Sequence, residues 1–333
     1  MKVLYLLPIL PPKLPKAEAL LQEITLLRAA FSGDIIYLNP NASLPIPAPR
    51  LCFGLHLLPL LWRQERAYDL IHFYNPDPFP YPVLRCLKKP VVYSLLGGVG
   101  KQPHWTRFFR SLAAVTVSDE QSQQNLQAWG LSNVHLVRPG IETERFTYQP
   151  RPLGEAIHLL MASAPWTLDQ FRSKGVEALL DAARAEPRLH LTFLWRGVLS
   201  EEMQQRIAQA DLGQRVVLID QQMDVNSLLA QVHAAIVVAE TATIVKAWPH
   251  SLLDSLAAGK PVLVSRTIPM AAYVERTGCG VVVESVTPQA VLAGLQKLLA
   301  NYAHYQQAAL AVGQDFGAEA LIKSVQAVYT KVI

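Results

Sequence analysis

Short runs of Val, Ile and Leu alternate with longer amphipathic stretches along the whole chain. Apolar runs at 2–7, 34–38, 69–73, 90–95, 114–118 and 134–137 predict one series of strands. A second series follows at 157–161, 190–194, 215–219, 235–239, 261–265 and 280–283. Helical spacing of apolar positions is found at 17–30 and 119–129, and again at 175–184, 225–232, 251–258 and 288–300. The strand runs are apolar at nearly every position, which marks strands covered on both faces. Strand–helix alternation of this kind builds parallel sheets with helices on both sides. Two such series predict an α/β protein of two doubly wound, Rossmann-like domains.

The stretch 146–155, FTYQPRPLGE, is polar and carries Pro150 and Pro152 between the two series. It predicts a first domain over 1–150 and a second over 151–316. The helical stretch after 316 lies beyond a complete second series, and packing back across a hinge is one place for it. Open parallel sheets bind ligands beyond the carboxyl ends of their strands, so a cleft between the two domains is the expected site.

Composition narrows the reading further. The 333 residues are 51% hydrophobic and 17% charged, which excludes a disordered chain. The three cysteines, Cys52, Cys86 and Cys279, stand far apart. They make neither a disulfide framework nor a zinc site, and point to a reducing, cytoplasmic compartment. Residues 1–150 hold 15 Lys+Arg against 10 Asp+Glu, net +5; residues 151–333 hold 15 against 16, net −1. A basic first half is compatible with an anionic membrane surface on the cytoplasmic face or with an anionic substrate. The apolar stretch 57–62 fits the first of these, and ordinary surface scatter accounts for the charge equally well. No basic run interleaved with aromatics speaks for nucleic acid. The opening MKVLYLLPIL is broken by Pro8 and reads as a buried strand rather than a signal peptide. No apolar run reaches the roughly 18 residues that span a bilayer.

Several familiar motifs fail on inspection. Gly97-Gly98-Val99-Gly100-Lys101 lacks the first glycine and the final Ser/Thr of a P-loop, and reads instead as a flexible loop at a strand end. No Gly-x-Gly-x-x-Gly follows the first strand, whose loop at 8–15 is proline-rich. No histidine pair has metal-binding helical spacing, so no metal is expected. His72, late in its predicted strand, either reaches the cleft or is a hydrogen-bonded core residue.

The segment 246–261, KAWPHSLLDSLAAGKP, carries the most chemistry. Pro249 suits a helix start, where a missing N–H costs nothing. The N–H groups of His250, Ser251 and Leu252 would then face an anion such as phosphate. Asp254, one turn on, is placed to accept hydrogen bonds from ribose hydroxyls. Gly259 closes the helix before a buried strand.

This segment resembles the donor-site signature of retaining, nucleotide-sugar-dependent glycosyltransferases of the GT-B fold, family 4. The family pattern runs Glu-Gly-Phe-Pro, then Glu-Ala-Met-Ala, then Gly-Lys-Pro-Val. Here it reads Lys246-Ala247-Trp248-Pro249, Asp254-Ser255-Leu256-Ala257 and Gly259-Lys260-Pro261-Val262. Weaker matches follow the family's order: Asp69-Leu70-Ile71-His72, Val117-Ser118-Asp119, the stretch 137–146 and Ser173-Lys174-Gly175-Val176. The resemblance covers roughly 69–285 and implies two Rossmann-like domains facing across a cleft. It implies transfer of a sugar, with retention and without a metal or other cofactor, from a nucleoside diphosphate sugar to a glycan, lipid-linked or small-molecule acceptor.

By the same resemblance Lys174 and Arg172 hold the diphosphate, Asp254 the ribose, and Lys246 the sugar or phosphate. The loop with Gln221 borders the base; His72, Gly97, Gly98 and His104 line the acceptor side, His72 and Lys246 being the catalytic candidates. The departures are specific. Lys246 stands where the family has its first glutamate, and Asp254 replaces the second. The stretch 162–169 has no arginine, leaving Arg172 as a substitute. The glycine pair after the first strand is missing, and Leu95-Leu96 replaces a family histidine. These departures admit a second class of function, a catalytically inactive GT-B scaffold that serves as a binding or partner subunit.

Overall fold

The computed structural model describes residues 1–12, 15, 18–41, 44, 46–195 and 197–333. Ala17, the first position of the helix expected at 17–30, and Lys13 and Leu14 of the loop 8–15 lie outside the described residues.

Internal contacts divide the chain into two units, 1–140 with 318–333, and 141–317. The first holds a six-stranded sheet of β1 (Lys2–Leu7), β2 (Ser32–Tyr37), β3 (Leu70–Asn75), β4 (Val91–Leu95), β5 (Ala114–Val117) and β6 (Val134–Leu136). Every pair is parallel, in the order β2-β1-β3-β4-β5-β6. Side chains alternate across the sheet as a two-residue period requires. Leu4 and Leu6 of β1 join Ile71 and Phe73 on one face. Val3, Tyr5 and Leu7 join Leu70 and Tyr74 on the other, where the helices Ala19–Ala30 and Ala318–Val332 cover them. The last helix thus belongs to the first unit, its Leu321, Val325, Val328 and Tyr329 buried in that layer.

The second unit repeats the plan with β7 (Ile157–Met161), β8 (Leu189–Leu194), β9 (Val216–Ile219), β10 (Ala234–Val237), β11 (Val262–Ser265) and β12 (Gly280–Val283). The order is β12-β11-β10-β7-β8-β9, again parallel throughout. Ile157, Leu159 and Met161 face one core and Leu160, Ala235 and Val237 the other. This unit opens at Ile141, ahead of the proline-bearing stretch 146–155. Ile141 N–H bonds to Phe316 O at 2.8 Å, and Ile141 bridges Gly317, so the start and end of the unit close on each other.

Each sheet has one point where successive connections leave in opposite directions. It lies between β1 and β3 in the first unit and between β7 and β10 in the second. At such a point the loops diverge and leave a crevice beyond the strand ends.

Candidate donor site

In the second unit the crevice is bounded by the loops after β7 and β10. The chain leaves β7, forms the short helix Gln170–Ser173 and reaches Lys174-Gly175 before the helix Val176–Ala185. Gly175 has φ +73°, and a Cβ there would stand 2.3 Å from Val238 Cγ2, just past β10. Only glycine lets the two loops approach so closely. Glu240 N–H then bonds to Ser173 O at 2.8 Å. Ser265 at the end of β11 fixes the β10 loop from the other side, its Oγ accepting from Ala239 N–H at 2.9 Å.

Lys174 is 3% exposed, and its Nζ donates to Ala164 O at 3.0 Å, under the loop that follows β7. Arg172 is exposed, with Nε 3.7 Å from Glu240 Oε1. Glu240 was not singled out by motif; its position directly after the strand at the crevice is the signal that finds it.

Lys246 is half-buried between buried Val245 and Ala247. Pro249 precedes the helix His250–Ala257 with extended backbone, φ −65° and ψ 121°. The expected fan of three amides at this helix start is smaller. Leu252 N–H is taken by Pro249 O at 2.9 Å, and Leu253 N–H reaches the same oxygen at 3.2 Å. A tightened first turn satisfies Leu252 internally and removes it as an anion donor. His250 is buried and Ser251 half-buried at the head of the helix. Asp254 shares the His250 side of the helix, four residues on. It is half-buried; burial pushes its carboxyl up to about 7, against the pull of Arg145. Arg145 is thus a second side chain that motif reading passed over. Lys260 is fully buried, and burial draws its ammonium down to about 8, helped by Arg151.

Gln221 follows β9, two strands away from β7, with Nε2 3.7 Å from Met223 Sδ. At about 4.8 Å per strand that places it near 10 Å from the crevice.

The acceptor-side candidates lie in the first unit. β3 continues to Asn75, so His72 sits in mid-strand rather than near the carboxyl end. It is 1% exposed, with Nδ1 2.5 Å from Tyr329 Oη and Nε2 2.7 Å from Ser94 Oγ. Its ring stacks on Tyr74 at 4.1 Å, and burial lowers its pKa to about 3. Both nitrogens are committed to the core, which is the second of the two expectations for this residue.

The loop at 97–101 is tied down rather than free. Gly97 N–H bonds to Pro76 O at 2.9 Å, Val99 N–H to Ser122 Oγ at 2.9 Å, and Asn125 Nδ2 and Trp129 Nε1 hold the carbonyls of Val99 and Lys101. Gly97 and Gly98 are buried; His104 is exposed, its ring 6.1 Å from that of Trp129. The carboxyl end of β3 instead carries a polar cluster. Arg50 grips Asp77 with two bonds of 2.7 and 3.1 Å, and Asn75 and Tyr81 join it.

Residues 169–311, which include Lys174, Lys246 and Asp254, match the family model of glycosyl transferases group 1. The whole chain has the GT-B fold. HepE from Anabaena, solved with UDP and glucose, superposes with a TM-score of 0.72 at 16% identity, over 99% of each chain. Sucrose-phosphate synthase from Thermosynechococcus elongatus gives 0.72 at 16% identity, over 100% of this chain and 99% of its own. WaaG, a glycosyltransferase of lipopolysaccharide biosynthesis, gives 0.66 at 14% identity over 99% of each. No curated protein sequence matches the chain. Among the described residues, no helix is long and apolar enough to cross a membrane.

Proposed function

We propose that the protein transfers a sugar, with retention, from a nucleoside diphosphate sugar to a glycan or lipid-linked acceptor. The observation that carries this reading is the glycosyl transferases group 1 match, which falls on the loops bounding the β7–β10 crevice. The bound UDP and glucose of HepE favour a uridine donor.

In transfer, the acceptor hydroxyl oxygen forms a bond to the anomeric carbon. The bond from that carbon to the diphosphate oxygen breaks, and its electron pair and the acceptor proton go to the departing diphosphate. Negative charge grows on that group, so cations and helix-end amides aimed at it lower the barrier. Lys246, Arg172 and the head of the helix His250–Ala257 supply these. Lys174 acts from beneath, holding the loop after β7 by the Ala164 carbonyl. Asp254 accepts the ribose hydroxyls once ionised. His72, buried and bonded to Tyr329 and Ser94, holds the core of the first unit together rather than touching substrate.

Nucleoside diphosphate release is the test. Incubation with a nucleotide sugar and a mixed glycan acceptor should liberate the nucleoside diphosphate, and the new bond should keep the donor's anomeric configuration. Binding without release would favour the inactive scaffold, for which Lys246 in place of glutamate is the motive.

A further inference from the structure

A row of basic side chains crosses the second sheet at the amino ends of its strands. His158 of β7 lies beside His190 of β8. Carried back by one or two residues, the neighbouring registers add His233 and Lys260, just ahead of β10 and β11, and Arg215, just ahead of β9. The order across the sheet is Lys260, His233, His158, His190, Arg215. Neighbours in register share a face, here that of Leu160 and Ala235. The rings agree: His158 lies 4.8 Å from His190 and 5.9 Å from His233, at interplanar angles of 24° and 30°. Like charges side by side on neighbouring strands repel, so such a row is costly on its own.

Arg151 joins the row from the stretch 146–155. His233 pins that stretch, its Nε2 donating to Pro152 O at 3.2 Å while its Nδ1 accepts from His158 N–H at 3.0 Å. Burial lowers the pKa of His158, His190, His233 and Lys260, and Arg151 pushes each in the same direction. The other charged side chains that act on them are basic too, Lys260 on His233 and Arg215 on His190. Lys260 is the least satisfied of the set. It is fully buried, and its Nζ has no hydrogen-bond partner among the described residues. An ammonium buried without a counter-charge is strongly disfavoured. A metal ion does not suit the row. Among the described residues no three His, Cys, Asp or Glu are placed to hold one, and Arg151 and Lys260 repel it. An anion suits it, and Arg151, His158 and His190 are only half-buried, which leaves a way in.

We propose that Lys260, Arg151, His158 and His190 bind a phosphoryl dianion, as inorganic phosphate or as a phosphate monoester, at the amino end of the second sheet. Arg151 offers a planar fork for two oxygens, and Lys260 a buried point charge. The two imidazoles donate N–H groups to the remaining oxygens. His233, with both nitrogens engaged by backbone, keeps the stretch with Arg151 in place rather than meeting the anion. The site is separate from the donor crevice. His158 stands three residues before Met161, the last of β7, roughly 10 Å short of the carboxyl end that opens on the crevice. The proposal does not depend on the donor reading.

Isothermal titration calorimetry of the full chain with inorganic phosphate and with glycerol 2-phosphate tests the proposal, since neither carries a base for the donor crevice. One equivalent of at least one of them should bind. Tighter binding of glycerol 2-phosphate identifies an ester as the occupant, and tighter binding of phosphate the free ion. Lys260→Met and His190→Gln should each weaken binding about tenfold, the loss of one charge-assisted hydrogen bond. Lys246→Ala and Arg172→Ala, at the donor crevice, should leave it unchanged. Urea unfolding gives an independent reading. Phosphate should raise the midpoint of the parent. Lys260→Met, which removes the unpartnered ammonium, should raise the midpoint in phosphate-free buffer and show little further shift when phosphate is added. A folded parent that binds neither ligand, binding that survives both Lys260→Met and His190→Gln, or binding lost in Lys246→Ala would each overturn the proposal.

Discussion

The Nδ1 atom of His72 lies 2.5 Å from the hydroxyl of Tyr329, 257 residues further along the chain. On its other side the ring meets Ser94 Oγ, which in turn meets Thr116 Oγ1 at 2.6 Å. The line crosses β3, β4 and β5 and ends on the last helix. A neutral imidazole has one donor and one acceptor, and a hydroxyl can serve either. The network therefore needs no charge, and burial holds His72 neutral.

Tyr329→Phe should leave one buried ring nitrogen unsatisfied. The expected loss is about 1–3 kcal/mol of stability, read by urea unfolding. Nucleotide affinity in the second unit should be unchanged.

Acid should destabilise the protein through its buried histidines. His72 is lowered to about 3 by burial, and His158 to about 4 by burial with Arg151, His190 and His233. The unfolded chain protonates these side chains near 6.5, while the fold resists. Their contribution is complete above about 6.5 and is lost as pH falls toward the folded values. Melting temperature should drop from about pH 6.5 to about pH 4, and His158→Gln should flatten part of the slope. An unchanged profile would remove His158 from the account.

Asp254 titrates in the opposite sense. Raised to about 7, it is protonated below that pH and ionised above it. Only the carboxylate accepts from both ribose hydroxyls. Affinity for a nucleotide sugar, whose esterified diphosphate does not titrate in this range, should rise from about pH 6 to about pH 8. Asp254→Asn should make the profile flat. Calorimetric titration at both pH values distinguishes the two.

Gly175→Ala adds a methyl group 2.3 Å from Val238 Cγ2 on a residue with φ +73°. Left-handed strain of about 1–2 kcal/mol and overpacking of about 1–3 kcal/mol should both appear. Adding Val238→Ala should recover the steric share and leave the strain, as chemical denaturation would show.

Much of the fold is legible in the sequence because a strand covered on both faces must be apolar at nearly every position. β1 at Lys2–Leu7 and β7 at Ile157–Met161 lie where their runs predict. Asp119, read as the start of a helix, caps one, its Oδ1 accepting from Ser122 N–H at 2.8 Å. The helix starts at Gly175 and Pro249 are legible for a local reason: a glycine with positive φ and a proline before the first turn mark them in the sequence itself. His72 is not, because its environment comes from a helix at the other end of the chain. Leu252 is misread because sequence shows a helix start but not how tightly its first turn closes. Glu240 belongs to no motif, and Arg145 lies in the matched stretch 137–146 without a role of its own there; both partners emerge only once β10 and the helix His250–Ala257 are in place.

The most direct test is a thermal-shift panel of UDP, GDP, ADP, CDP and dTDP with their common sugar conjugates, run on the parent and on Lys246→Ala. A ligand at 100 times its dissociation constant adds about 2.7 kcal/mol of stability. The account predicts stabilisation of the parent by one base, uridine foremost, and a smaller shift in Lys246→Ala. A well-folded parent that no nucleotide stabilises would contradict it.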